Sequence, residues 1–153
     1  MAHDHRPQDL YEQDFYLWTL SQAQALRARG KGDAAVEWDK LAEEVEDMGK
    51  SERRESFSRT ATIIEHLFKL AWSGQSTPRA GWRSTIRTQR RELALTLTPT
   101  LRRQIEAGLE KLHCDVALDV ADTFETEEPA AARDVSLRWT LPQILGEADD
   151  PIA

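Results

Sequence analysis

The residues Glu110-Lys111-Leu112-His113 have the spacing of a metal-ligand pair. Three positions apart on a helix, a carboxylate and an imidazole point the same way, and carboxylate-bridged di-iron bundles use two such pairs plus two further acids. A second Glu-x-x-His does not occur in the chain. The spacing therefore predicts a solvated Glu–His pair and no bound metal or cofactor, with Glu110 and His113 the only candidate ligands by motif. His66 follows Glu65, but about 160° of helical rotation separates it from Ile64, which sets it on a polar side with Thr62 and Lys69. If Glu44 and His66 converged across a groove, they could bind one metal or act as an acid–base pair. Nucleophile signatures are missing: the chain has no Gly-x-Ser-x-Gly, no phosphate loop and no paired-cysteine zinc motif. Cys114 adjoins Asp115, a neighbour that disfavours a thiolate. His3 and His5 lie in a tail of the kind that is usually disordered.

The charges are segregated along the chain. Residues 33–47 hold seven acids against Lys40 alone, and residues 79–103 hold seven arginines against Glu92 alone. The arginines could form a phosphate-binding surface, which would make the chain a nucleic-acid binder through the Arg79–Arg103 face. The net charge of −7 opposes that reading, since a polyanion is repelled by the molecule as a whole. The arginines are better used against acidic helices of the same chain or of a second copy.

Helical geometry sharpens this expectation. Arg90 and Arg83 fall about 40° and about 60° from Ile86, inside the apolar arc of their helix, and Gln89 falls on its other edge. A buried charge without a partner costs several kcal/mol. Glu44, one turn from Leu41 and Met48, is the acid expected to answer Arg83 or Arg90. Such a network can fix helix register or line a polar pocket.

The elements that must position these residues read as helices nearly throughout, without strand alternation. A first helix from near Asp9 carries Tyr11, Phe15, Trp18 and Leu26, and Gly30 and Gly32 end it. A second follows Asp33, with Ala34, Trp38, Leu41, Val45 and Met48 as its apolar stripe. Gly49 is expected to stop it and Ser51 to cap the next. That third helix, roughly 52–73, has the widest apolar arc, centred on Phe57, Ala61, Ile64, Phe68 and Ala71 and flanked by Leu67 and Trp72. Residues 74–78 form a break. A fourth helix carries Trp82, Ile86, Leu93 and Leu97. Thr98-Pro99 then opens a long fifth helix through Leu101, Ile105, Leu109, Leu112, Val116, Val120 and Phe124. The pattern weakens after Pro129, and Thr140 with Gln143 marks the capping box of a short closing helix. Trp18, Trp38, Trp72 and Trp82 lie on or beside apolar stripes. Trp139 stands outside the regular helices, suited to docking the C-terminal segment or a partner.

The chain has 153 residues, 40% of them hydrophobic and 31% charged, enough for one globular domain with a real core. Its single cysteine cannot form an internal disulfide, as suits a reducing compartment. The opening residues lack the apolar core of a signal peptide. Its most apolar stretch, Ile63 to Trp72, is broken by Glu65, His66 and Lys69, so no membrane span is expected. The expectation is a cytoplasmic protein.

Three ordered motifs carry a family resemblance. They are Tyr11-Glu12-Gln13-Asp14-Phe15-Tyr16-Leu17-Trp18, the run from Leu41-Ala42-Glu43-Glu44 through Gly49-Lys50-Ser51-Glu52-Arg53-Arg54-Glu55, and Trp82-Arg83-Ser84-Thr85-Ile86-Arg87-Thr88-Gln89-Arg90-Arg91-Glu92-Leu93. Together they resemble bacterial domain of unknown function family 29 from about Tyr11 to Leu145. The resemblance implies an all-helical bundle with no established activity. It also implies that any shared site draws on Asp14, Glu44, Ser51, Arg54, His66, Trp82, Arg83, Gln89 and Arg90. The closing segment, with Leu137-Arg138-Trp139 before its short helix, departs most from the family pattern.

These observations predict an all-α antiparallel helical bundle of about five helices plus a short C-terminal helix. Residues 1–8 form a flexible tail and residues 9–153 a single domain. The expected role is that of a bacterial interaction or binding module with a structural Glu–Arg network. Its partner is a protein, a second copy included, and neither a membrane nor a nucleic acid. The rival is an enzyme or metal-binding protein using a polar groove around Glu44, His66, Arg83 and Arg90.

Overall fold

A computed structural model of the chain describes residues 7–29, 35–73, 78–124 and 133–153. Among them all regular structure is helical: α1 (Pro7–Gln13), α2 (Phe15–Arg29), α3 (Trp38–Trp72), α4 (Arg79–Thr96), α5 (Pro99–Thr123) and α6 (Leu141–Leu145). Expectations resting on His3, His5, Gly30, Gly32, Asp33, Ala34, Gly74 and Pro129 lie outside the described residues. The chain groups into two compact units, one of residues 1–56 with 97–103 and the other of residues 57–96 with 104–153.

In the first unit the expected opening helix is two. Asp14 interrupts it: its Oδ1 accepts the N–H of Leu17 at 2.9 Å, as an N-cap does for the third residue of a helix. The backbone barely breaks stride, because Asp14 N–H still donates to Leu10 at 2.8 Å. Thr98 caps α5 as expected, accepting from Leu101 N–H at 3.2 Å.

The expected stop at Gly49 and cap at Ser51 are corrected, for α3 runs through both without a break. Gly49 serves close approach instead. A Cβ there would sit 2.1 Å from Thr19 Oγ1 and 3.2 Å from Thr19 Cβ, so α2 and α3 pack here only because the side chain is missing. The buried face of this half of α3 is correspondingly small, with Ala42, Gly49 and Ser56. Leu41 and Met48, expected on the buried stripe, are exposed. The reason is steric: large side chains cannot occupy the line along which the two backbones come closest.

The second unit has an ordinary apolar core built from the other half of α3 (Ile63, Ile64, Leu67, Phe68, Trp72), α4 (Ile86, Leu93), α5 (Ile105, Val116, Ala117, Val120) and α6 (Leu141, Ile144). Ser56 and Thr60 are buried where the widest apolar arc of α3 was expected to centre on Phe57 and Ala61, and Ala71 is exposed. Within this unit α3 and α4 run antiparallel. Arg79 donates to the carbonyls of Leu70 at 2.7 Å and Ser73 at 2.8 Å near the turn, and Arg59 reaches Gln89 at 3.0 Å further along. The closing helix has the full capping box: Thr140 accepts from Gln143 N–H, and the Gln143 side chain accepts from Thr140 N–H. No described helix is long and apolar enough to cross a membrane.

Candidate functional site

Arg90 anchors the end of the second unit's closing helix. Its place inside the apolar arc of α4 aims it at the end of α6, where Nε donates to Ile144 O at 2.8 Å and Nη2 to Gln143 O at 3.0 Å. The same guanidinium grips both carboxylate oxygens of Asp150, at 3.0 and 3.1 Å. One planar fork thus satisfies the C-terminal carbonyls of a helix and an acid together. Gly146, at φ 74°, makes room: a Cβ there would lie 2.8 Å from Arg90 Nη1. Burial alone would raise the Asp150 carboxyl, but the bonds from Arg90 and from Ile152 N–H outweigh it and hold it below its usual range. The acid that answers Arg90 is therefore Asp150, where Glu44 was expected.

His113 is corrected more sharply. Expected as half of a solvated pair, it is buried on α5 with both ring nitrogens engaged. Nδ1 bonds Leu109 O at 2.9 Å, and Nε2 accepts the N–H of Trp139 at 3.2 Å. That pairing requires the neutral ring protonated at Nδ1. Burial pushes its pKa below the ordinary value, with nearby Arg138 adding to the shift and the Leu109 carbonyl and Glu110 opposing it. Glu110 turns instead to Arg138, which donates to both its oxygens at 2.9 to 3.1 Å. Both ring nitrogens of His113 and both carboxylate oxygens of Glu110 are thus engaged in hydrogen bonds within the chain. Among the described residues no group of three or more His, Cys, Asp or Glu side chains could hold a metal.

The first unit contributes Asp14. Besides capping α2, its Oδ2 accepts Thr100 N–H at 2.8 Å, so one buried carboxylate closes the N-termini of α2 and α5. Burial alone would raise this carboxyl, and the bonds from Leu17, Thr100 and Thr98 overcome that and lower it. On α3, Leu41, Glu44 and Met48 are exposed with Val45 half-buried beside them. Glu44 and neighbouring Asp39 and Glu43 make no hydrogen bond or ion pair among the described residues, whereas Glu46 is engaged by Arg27 at 2.9 Å.

A family description, "Domain of unknown function DUF29", matches residues 10–148. The chain belongs to the DUF29 family. It is also similar to an α-helical protein of unknown function from Rhodospirillum rubrum, with 26% identity, a TM-score of 0.72 and 92% of each chain covered. Comparison with curated proteins gives no match.

The remaining motif residues of this DUF29 chain are scattered between the units. Glu44 and exposed Arg54 belong to the first unit, and His66, Trp82, Arg83, Gln89 and Arg90 to the second. His66 bonds Thr62 O, 2.8 Å away on its own helix. Trp82 packs edge-to-face on Phe124, centroids 5.5 Å apart. Gln89 accepts from Arg59. Arg83 is half-buried without a hydrogen bond or ion pair among the described residues. A groove of about 310 Å³ between α3 and α5 is lined by Ser58, Thr62, Glu65, Asp119 and Thr123 among others. The Glu65 carboxylate on its rim is paired with Lys69. Within the second unit the structure joins His113, Trp139, Glu110 and Arg138, a set the motif spacing did not assemble. Trp139 was the available signal: an aromatic outside any helix, one residue after an arginine.

Proposed function

We propose that this DUF29 chain is a protein-interaction module of the bacterial cytoplasm whose contact face is the α3 ridge of Leu41, Glu44, Val45 and Met48. One observation carries the reading: Leu41 and Met48 remain 46% and 50% exposed although their seven-residue spacing is that of a helix–helix seam. Apolar residues in line on a helix, beside Glu43 and Glu44, which make no hydrogen bond or ion pair among the described residues, suit a basic amphipathic helix. The chain carries such a surface itself. On α4, Arg87, Arg91 and Leu95 are exposed, Leu95 at 80%. A second copy is therefore the partner of choice, with acids of one chain meeting arginines of the other. The single free thiol and the lack of a membrane-crossing helix among the described residues support the location, and the similarity to the R. rubrum protein supports the bacterial setting.

Sedimentation velocity tests it by charge exchange. Glu44→Arg and Arg91→Glu should each weaken self-association, and mixing the two variants should restore it as a hetero-complex. A wild type that stays monomeric at its highest soluble concentration overturns the reading.

A further inference from the structure

Residues Arg133–Thr140 form a strap that leads from the end of α5 back along that helix to α6. Three bonds pin it. Arg133 Nη1 donates to Ala121 O at 2.8 Å, Arg138 grips Glu110, and Trp139 N–H donates to His113 Nε2 at 3.2 Å. Next to the last of these, the Trp139 ring meets Phe68 edge-to-face at 4.9 Å and lies nearly parallel to His113 at 6.0 Å. Leu67, Leu70, Arg79, Trp139 and Pro151 border a cavity of about 240 Å³. Two of the three pins join groups whose charge states do not change between neutral and mildly acidic pH: a guanidinium with a carbonyl, and a guanidinium with an acid already held below its usual range by that bond. The third depends on a bare imidazole nitrogen.

We propose that His113 is an acid-sensitive latch: a proton taken from solvent at Nε2 replaces the acceptor of the Trp139 N–H with a second donor, and the Trp139 end of the strap lifts off α5 and Phe68. Two N–H groups 3.2 Å apart cannot share a bond, and an imidazolium in an apolar site is poorly solvated. The charged or titratable groups around the ring are Glu110 and Cys114 on α5 and Arg138 on the strap. From α3 it meets the uncharged ring of Phe68, and Arg79 of α4 borders the cavity beside Trp139. Glu110 favours the proton, but it is held by Arg138 and its pull is outweighed by the burial of the ring. Arg90 with Asp150 keeps α6 docked, because that carboxylate stays ionised in mild acid. The motion is therefore a hinge about α6, and it uncovers Phe68 and the cavity wall. It is independent of the ridge on α3.

The sign follows from the burial of the ring. The closed strap holds the neutral form, whereas a released His113 has the ordinary affinity, near pH 6.5. The closed state is fully favoured above about pH 6.5 and loses ground as pH falls toward the lower folded value. Hydrogen–deuterium exchange of residues 133–142, corrected for intrinsic rates, reads this directly. Between those two limits, protection should fall close to tenfold per pH unit, as one linked proton requires. His113→Gln, which can still donate and accept, should make protection independent of pH, and His66→Gln should leave the wild-type response in place. Should His113→Gln not fold, the His113 Hε1 shift in the wild type provides the second readout, and it must titrate in step with strap exchange. Unchanged protection from pH 7.5 to 5.5 overturns the latch, and so does an identical pH response in folded His113→Gln.

Discussion

Helix α3 behaves as two different helices. From Ile63 to Trp72 it buries large apolar side chains, with Phe68 fully enclosed among Trp72, Trp139 and His113. In the half before Ser56 it buries Ala42 and Gly49 while Leu41 and Met48 face outward. Both stretches carry an apolar stripe at helical spacing, the C-terminal one the wider. What separates them is the distance of the neighbouring helix: close backbone approach at Gly49 selects small residues for the contact line and rotates the larger ones off it. An apolar stripe on a helix therefore marks a contact, and the size of the residues beside it marks whether that contact is internal.

Truncating one apolar residue in each half of α3 should separate them most strongly. Phe68→Ala should cost about 3–5 kcal/mol through lost burial and a cavity, whereas Met48→Ala should stay within about 0.5 kcal/mol. Denaturant midpoints at constant m-value measure both. A Met48→Ala loss as large as that of Phe68→Ala would mean that the ridge is core.

A smaller effect is expected at the polar anchor of the second unit. Arg90→Ala removes the guanidinium's bonds to Asp150 and to two carbonyls of α6, a loss of roughly 2–3 kcal/mol for bonds to a charged group. Arg91→Ala, exposed on the next position of the same helix and bonded among the described residues only to Thr88, should change stability by less than about 0.5 kcal/mol. Equal losses in thermal melts would refute the assignment of Arg90.

The smallest effect belongs to the first unit. Asp14→Asn keeps one acceptor for two helix ends, so about 1 kcal/mol should be lost at neutral pH. Because the folded Asp14 carboxyl is lowered, its contribution is complete above the unfolded value near pH 4 and vanishes as pH falls through the folded one. The gap between wild type and Asp14→Asn should accordingly close in strong acid. A gap that widens there would reverse the sign.

The sequence by itself determined the helices and their ends wherever the cause was local. Thr98-Pro99 and the Thr140–Gln143 box are read from neighbours in the chain, since a cap bonds a backbone N–H three residues away. It also marked Arg90 as needing a partner, because helical phase alone sets it in an apolar arc. The partner itself was a tertiary matter. Arg90 meets Asp150 sixty positions on, and His113 meets Trp139 twenty-six positions on, and no periodicity reports which distant groups a fold brings within hydrogen-bond reach. The same holds for Gly49. A glycine after an apolar stripe ends a helix in isolation, and only the approach of Thr19 turned it into the place where a long helix continues and a second one leans against it.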